Sequence, residues 1–156
     1  MVKVMRLGDM GDHVGQHVAY MLVGQFVKGL PAPALGLGLV DDADLDAIRA
    51  GGLKLGVSSH DKAELDRALA LKPAYIALGP VYPTILKKMK WHEQGLDRVS
   101  QWKATLGDIP LVGIGGMNVE RAPGVFKAGA DIISVVTDIT LNRDPEARVR
   151  QWIEVT

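Results

Sequence analysis

Two neighbouring glycines mark the strongest candidate for a binding site in this sequence. Gly115 and Gly116 follow an apolar run directly and precede a helical pattern that begins near Asn118. Glycine lets a backbone approach a ligand closely, and N–H groups at the start of a helix suit a phosphate. The pattern predicts a phosphate-binding turn, and a tight strand-to-helix turn without a ligand is the alternative interpretation.

The end of the next apolar segment offers further hydrogen-bond donors. Val136 can donate through its backbone amide and Thr137 through its hydroxyl. In (β/α)₈ barrels, the loops after the last two strands commonly form a phosphate site. We therefore expect these two residues to join Gly115 and Gly116.

A second group of polar residues follows the apolar segment at residues 74–78. Thr84 and Lys87 lie three residues apart in the loop that begins at Gly79. A threonine hydroxyl and a lysine ammonium at this spacing can reach one anion, the lysine supplying charge and the threonine orientation. The neighbouring pair Lys87 and Lys88 is also typical of a solvated loop.

A third group, Ser58, Ser59 and His60, ends the apolar segment at residues 53–57. Either serine can cap the helix predicted to begin near Asp61, which is the commoner role of a serine there. A Ser–His nucleophile pair is the other interpretation, but neighbouring residues rarely reach the required geometry and the sequence shows no orienting acid.

The elements that position these groups alternate along the chain. Continuous apolar runs are typical of parallel strands covered on both faces, and apolar residues three or four apart predict helices. The predicted strands are Leu53–Val57, Ala74–Leu78, Ile109–Ile114 and Ile132–Val136. The predicted helices are Asp41–Ala50, Asp61–Leu71, Gln94–Leu106, Val119–Ala128 and Asp144–Val155. This order predicts an α/β fold of parallel βα units, either a doubly wound sheet or part of a barrel.

The first forty residues break this alternation. An amphipathic helix is predicted at Gly15–Leu30, and residues 31–39 are rich in proline and glycine, as in a linker. We therefore predict an atypical segment at 1–40 and a partial (β/α)₈ barrel of about four βα units at 41–156. Four strands cannot close an eight-stranded barrel.

The composition excludes some kinds of site and gives no reason to expect some kinds of partner. The 156 residues carry 18 Lys plus Arg against 18 Asp plus Glu, so the net charge gives no reason to expect nucleic acid as a partner. The sequence has no cysteine, which excludes disulfides and thiolate metal sites. Apolar runs are too short for a membrane helix. A cytoplasmic protein is the expectation.

The ordered motifs resemble those of the thiamine-phosphate synthase family, from about Asp41 to the C-terminus. They stand here as Gly56-Val-Ser58-Ser-His60, Gly79-Pro-Val-Tyr-Pro-Thr84-Ile-Leu-Lys87, Ile114-Gly115-Gly116 and Val135-Val136-Thr137-Asp138-Ile139. The resemblance implies the C-terminal half of a (β/α)₈ barrel. It also implies a magnesium-dependent reaction that couples hydroxymethylpyrimidine pyrophosphate with thiazole phosphate and releases pyrophosphate.

The resemblance also implies roles for individual residues. Ser58 and Lys87 would face the pyrophosphate, with Lys87 as the catalytic residue. The residues that would hold the thiazole phosphate are Thr84, Gly115, Gly116, Val136 and Thr137.

Three positions depart from the family pattern. Leu86 replaces a threonine, and Asp138 adds a carboxylate that would repel a phosphate if it pointed inward. In ungapped register the family's magnesium-binding acid falls on Leu39, and Asp41 or Asp42 could replace it only if the register shifts.

Two other functions fit the same residues. A thiazole tautomerase, a neighbouring group with the same barrel, needs no pyrophosphate chemistry, but its usual catalytic histidine is not identifiable, because the position of His92 in its loop is unclear. A non-catalytic phosphate-binding half-barrel would pair with a second copy, because an open sheet leaves unpaired edges. A homo-oligomer is therefore one expectation.

Overall fold

The structure, a computed structural model, describes residues 34–37, 45–51, 54–85 and 92–155. Its strands are β1 (Ala34–Leu37), β2 (Lys54–Ser59), β3 (Tyr75–Leu78), β4 (Leu111–Ile114) and β5 (Ile132–Ser134). Its helices are α1 (Leu45–Ala50), α2 (Lys62–Ala70), α3 (Gly95–Leu106), α4 (Ala122–Lys127), α5 (Thr137–Thr140) and α6 (Pro145–Val155). In these ranges, no helix is long and apolar enough to cross a membrane.

Strand order distinguishes the two architectures that the sequence left open. The sheet has the order β1-β2-β3-β4-β5, so each strand neighbours the one before it in the chain. Strands β1 and β2 are parallel, and so are β4 and β5. A doubly wound sheet reverses its strand order at a switch point, whereas successive strands of a (β/α)₈ barrel are neighbours throughout. The observed order is the barrel type.

The chain divides into two compact units, and the boundary follows Ile76 inside β3. In the first unit, β1 lies beside β2 with Gly36 opposite Gly56. Helix α2 packs beside β2 and buries Leu65 and Ala68 completely. This burial fits the apolar spacing of three residues that predicted the helix.

Strand β1 corrects the interpretation of residues 31–39 as a linker. Ala34–Leu37 is a strand, and its four residues pair in parallel with residues 54–57 of β2. Glycine lowers the local preference for a strand, as at Gly36. Pairing with β2 supplies backbone hydrogen bonds that a propensity argument does not include, and tertiary structure decides the conformation here.

In the second unit, α3 packs beside β4 and buries Val99 and Trp102. The start of β4 is fixed by Asp131, whose carboxylate accepts a hydrogen bond of 2.8 Å from the amide of Leu111. The same carboxylate pairs with the Lys103 ammonium at 2.9 Å. One acid thus ties the beginning of β4 to α3.

The other predicted elements agree with the structure except at their ends. The four predicted strands correspond to β2–β5, and each predicted helix after residue 40 has a counterpart. Helix α4 begins at Ala122 rather than Val119, and the short helix α5 was not predicted. The helix predicted at Gly15–Leu30 lies outside the described residues.

Candidate phosphate-binding site

The turn after β4 has a backbone conformation that favours glycine at two successive positions. The φ angles of Gly115 and Gly116 are 92° and 64°, in the left-handed region that L side chains rarely adopt. A Cβ at Gly115 would lie 2.6 Å from the Cβ of Pro80, and one at Gly116 would lie 2.8 Å from the carbonyl oxygen of Tyr82. Both glycines are therefore required by close packing as well as by backbone conformation.

The same turn is bonded to the loop that follows β3. The amide of Val81 donates to the Ile114 carbonyl at 2.8 Å, and the amide of Tyr82 donates to the Gly115 carbonyl at 3.1 Å. The peptide bond that opens the β3 loop, Gly79–Pro80, is cis. These two hydrogen bonds fix the two loops against each other.

Two successive amides in the β4 turn are left without a protein partner. Across the part of the chain that the structure describes, the N–H groups of Gly116 and Met117 donate to no protein acceptor. Successive N–H groups in a left-handed turn form a concave site for an anion. Buried backbone donors without an acceptor are uncommon in folded proteins, and Met117 is a buried residue, so a phosphate oxygen would suit this turn as an acceptor.

Arg121 is a residue of this site that the sequence analysis missed. Its guanidinium donates a hydrogen bond to the carbonyl oxygen of Gly116. The same group lies over the Tyr82 ring, 4.5 Å from the ring centroid. The side-chain oxygen of Asn118 accepts from the Arg121 amide at 2.9 Å. An arginine five residues after a double glycine was the available signal in the sequence.

The structure places Thr84 in the loop that touches the β4 turn. Thr84 is half-buried and follows Tyr82 and Pro83, whose carbonyl oxygens both lie where a Cβ on Gly116 would stand. Lys87 and Leu86 lie outside the described residues. Thr84 is therefore near the glycine turn, and the position of Lys87 stays a prediction.

Val136 and Thr137 stand at the end of β5. Val136 directly precedes α5, and Thr137 is its first residue. Because β4 and β5 are parallel with Ile114 opposite Ser134, their carboxyl ends meet at one edge of the sheet. Both residues are half-buried there. The register thus places the two predicted residues at the same edge as the glycine turn.

The additional carboxylate of Asp138 is bound by helix α6. The Arg148 guanidinium donates to both carboxylate oxygens of Asp138, at 2.8 and 2.9 Å, and Trp152 Nε1 donates at 2.9 Å. These bonds to Asp138, followed by those to Glu120, raise the pKa of Arg148 above its usual value. The Asp138 charge is therefore paired with a cation.

Glu120 is the second acid on Arg148. Its carboxylate lies 3.0 Å from the guanidinium and is largely exposed. The hydrogen bond from Arg148, and then one from the backbone N–H of Glu120 itself, lowers the pKa of the Glu120 carboxyl. The acidic residue of the β4–α4 turn is thereby bonded to α6.

In the first unit, the turn after β2 is organised by carboxylates. The Asp61 side chain accepts from the Glu64 amide at 2.8 Å and caps α2, so the prediction that Ser58 or Ser59 caps this helix is wrong. A free carboxylate at Asp61 accepts a hydrogen bond as well as a serine hydroxyl does. Glu64 in turn accepts from the His60 amide at 2.8 Å and lies 2.9 Å from the His60 ring. Ser58 is half-buried, and Ser59 is fully buried.

The described residues do not offer a magnesium site. Among them, no three His, Cys, Asp or Glu residues cluster so that they could hold a metal ion. The acids nearest to the strand ends are occupied, since Asp138 bonds Arg148 and Asp61 bonds a helix amide. Asp41 and Asp42 lie outside the described residues.

Comparison with known proteins gives a consistent result. The model of the thiamine monophosphate synthase family matches residues 20–139. The chain is similar to the thiamine-phosphate synthase of Rhizobium etli, with 60% identity over 114 residues that cover 73% of this chain and 56% of the relative. The thiamine-phosphate synthase of Cronobacter sakazakii is 47% identical over 74% of this chain and 55% of its own length. The chain thus spans little more than half of these relatives.

Solved structures agree with the sequence relatives. The thiamine phosphate pyrophosphorylase of Pyrococcus furiosus superposes with a TM-score of 0.67 and 26% identity, over 78% of this chain and 58% of that one. A 3-hexulose-6-phosphate synthase, at 19% identity and a TM-score of 0.59, shares the fold alone. The fold is the α/β type of these barrel proteins, and the chain belongs to the thiamine monophosphate synthase family.

Proposed function

We propose that this chain binds the phosphate of a phosphorylated thiazole in the turn after β4. It would do so as part of a thiamine-phosphate synthase, the enzyme that couples this thiazole with hydroxymethylpyrimidine pyrophosphate. The products are thiamine phosphate and pyrophosphate. A transferase role in thiamine biosynthesis fits the family to which the chain belongs.

One observation carries this proposal. The amides of Gly116 and Met117 have no protein acceptor within the described ranges, in a turn whose glycines pack closely against the β3 loop. A phosphate oxygen satisfies several such donors at once, and charge-assisted hydrogen bonds are about twice as strong as neutral ones. Thr84, Val136 and Thr137 would supply the remaining donors, by their places at the ends of β3 and β5.

The other half of the reaction concerns the leaving pyrophosphate. Ser58 and Lys87 would hold it, the serine through its hydroxyl and the lysine through its charge. Departure of pyrophosphate leaves a cation on the pyrimidine methylene, and the thiazole nitrogen supplies the electron pair for the new C–N bond. An enzyme that binds both phosphates at once removes much of the entropy cost of the encounter between the two reactants.

Among the described residues, no cluster of acids supplies the magnesium ligands that this reaction would need. The proposed magnesium requirement comes from the family, with Asp41 or Asp42 as the acids to test. A cytoplasmic location and a homo-oligomer likewise stay predictions.

The first test compares two ligands that differ only in the phosphate. We expect calorimetric titration to show at least about tenfold tighter binding of 4-methyl-5-(2-hydroxyethyl)thiazole phosphate than of the corresponding alcohol, the effect of one or two charge-assisted hydrogen bonds. Equal affinities would remove the β4 turn from phosphate binding.

A second test measures turnover. Purified chain, whose folding is verified by circular dichroism, receives both substrates and magnesium, and thiamine phosphate and pyrophosphate are quantified. Formation of both products would support the complete reaction in this chain. Phosphate-specific binding without turnover would support the binding role and show that this chain alone does not carry out the complete reaction.

A further inference from the structure

The amides of the β4 turn must point at the anion, and glycine does not fix their direction. Two successive glycines allow many backbone conformations, since no Cβ restricts them. The orientation of the Gly116–Met117 peptide therefore depends on contacts outside the glycines. The structure offers one such contact, the hydrogen bond from the Arg121 guanidinium to the Gly116 carbonyl.

This hydrogen bond sets the direction of the next amide. In a trans peptide the carbonyl and the N–H of one peptide plane point in opposite directions. When Arg121 holds the Gly116 carbonyl, it also directs the Met117 N–H to the other side of the turn. That N–H, like the N–H of Gly116, donates to no protein acceptor within the described residues.

Tyr82 holds the guanidinium in place. The Arg121 guanidinium lies over the Tyr82 ring, 4.5 Å from the ring centroid. The amide of Tyr82 donates to the Gly115 carbonyl at 3.1 Å. An aromatic face attracts a guanidinium both by its quadrupole and by stacking. Arg121 therefore touches the β3 loop and the β4 turn at once.

We propose that Arg121 is a positioning residue of the phosphate site, and that it acts through Tyr82 and the Gly116 peptide rather than by touching the anion. This inference rests on the proposed phosphate-binding function. It predicts that the arginine and the tyrosine act as one unit, so the loss of either removes the same contribution to phosphate affinity.

The test is a double-mutant cycle with the two thiazole ligands. Arg121→Met removes the donor and keeps a chain that can pack on Tyr82, and Tyr82→Leu removes the aromatic face and keeps the cation. We expect each variant to bind the phosphorylated thiazole about tenfold more weakly, the effect of one lost hydrogen bond to a charged group. Affinity for the unphosphorylated alcohol should not change, and the double variant should lose little more than either single variant.

A matched control is present in α3. Arg98 lies over the Trp102 ring at 4.9 Å, a contact of the same kind away from the turn. Arg98→Met should leave the affinity for both ligands unchanged. If Arg121→Met does not fold, Tyr82→Leu alone carries the test, because it removes the aromatic support of the guanidinium and leaves α4 unchanged.

The outcomes separate the inference from the proposed function. If the wild-type chain does not prefer the phosphorylated ligand, the proposed function is wrong, and Arg121 cannot be a positioning residue of a phosphate site. If wild type prefers it and Arg121→Met binds it equally well, Arg121 is not a positioning residue. Losses that add fully in the double variant, or a normal affinity in Tyr82→Leu, would indicate a direct contact of Arg121 with the anion and overturn the inference.

Discussion

The turns after β2 and after β4 connect a strand to a helix in different ways. In the β2 turn, the Asp61 carboxylate accepts from the amide of Glu64 in the first turn of α2, and the Glu64 carboxylate accepts from the amide of His60 before the helix. In the β4 turn, the acid Glu120 bonds Arg148 instead, and the amides of Gly116 and Met117 donate to no acceptor in the described part of the chain. A carboxylate on an amide occupies the place that a phosphate oxygen would take. The first turn is thus built to begin a helix, and the second is suited to an anion.

The largest expected effect comes from filling the β4 turn. Gly116→Val would place a side chain at a φ of 64° and against the Tyr82 carbonyl. We expect phosphate-specific affinity to fall by more than about 100-fold and the free energy of unfolding by about 2–4 kcal/mol. Calorimetry with the two thiazole ligands and denaturant unfolding measure the two effects.

Gly107→Val is the matched control for backbone strain. Gly107 has a φ of 56°, and a Cβ there meets nothing within 4 Å among the described residues. This variant should lose about 1–2 kcal/mol of stability and keep its phosphate affinity. Wild-type phosphate affinity in Gly116→Val would show that the β4 turn does not differ from the β2 turn in function.

A smaller effect is expected from the loop after β3. Lys87→Ala removes a charge that the family resemblance directs at the pyrophosphate. We expect about a tenfold to 100-fold loss of pyrophosphate affinity with unchanged thermal stability, as for a lost charge-assisted hydrogen bond. Lys88→Ala removes the same charge one residue later and should bind as wild type does. Equal behaviour of the two variants would remove Lys87 from the site.

In the β2 turn, we expect a substitution to lower stability and to leave phosphate affinity unchanged. Asp61→Ala removes the cap of α2 and should lower the free energy of unfolding by about 1 kcal/mol. Phosphate affinity should stay at the wild-type value, because this turn already supplies its own acceptors. Asp97→Ala, in the first turn of α3, is a control for the loss of charge alone, since α3 has no side-chain cap. A lower phosphate affinity in Asp61→Ala would contradict the view that only the β4 turn is suited to an anion.

The smallest effect concerns pH. The pKa of Glu120 is lowered in the folded chain, so its ion pair contributes stability above the ordinary pKa of glutamate and loses it as pH falls through the lowered value. Because Glu120 is exposed, we expect less than about 1 kcal/mol. Glu120→Gln should be less stable than wild type at pH 7, and the difference should vanish at low pH. Glu154→Gln, also exposed, is the control, and a difference that grows toward low pH would contradict the ion pair.

Much of the fold could be predicted from residue patterns. The apolar runs that became β2–β5 and the spacing of Leu65 and Ala68 in α2 are local signals of burial. Strand β1 gave no such signal, because proline and glycine surround it and its stability comes from pairing with β2. Helix α5 was missed for a similar reason, since its four residues follow β5 without a periodic pattern.

Some residues of the candidate site could likewise be predicted from the sequence, and others could be assigned only from the structure. Gly115 and Gly116 could be found from the sequence, because consecutive glycines at a strand end indicate a special backbone conformation. Arg121 could not be assigned to the site, because its contacts with Tyr82 and Gly116 depend on how two loops meet. The pairing of Asp138 with Arg148 and Trp152 likewise depends on the position of α6.

Residue patterns were sufficient to predict the alternation of strands and helices, the glycine turn and the family. Each of these depends on residue types a few positions apart in the chain. Over such short distances, the residues themselves largely set the backbone conformation and the pattern of burial. The tertiary structure decided the strand order, the strand at Ala34–Leu37 and the partners of the charged side chains. Arginine and aspartate side chains can form hydrogen bonds with many different groups. Which partner comes within hydrogen-bond distance depends on the packing of elements that are distant in the chain.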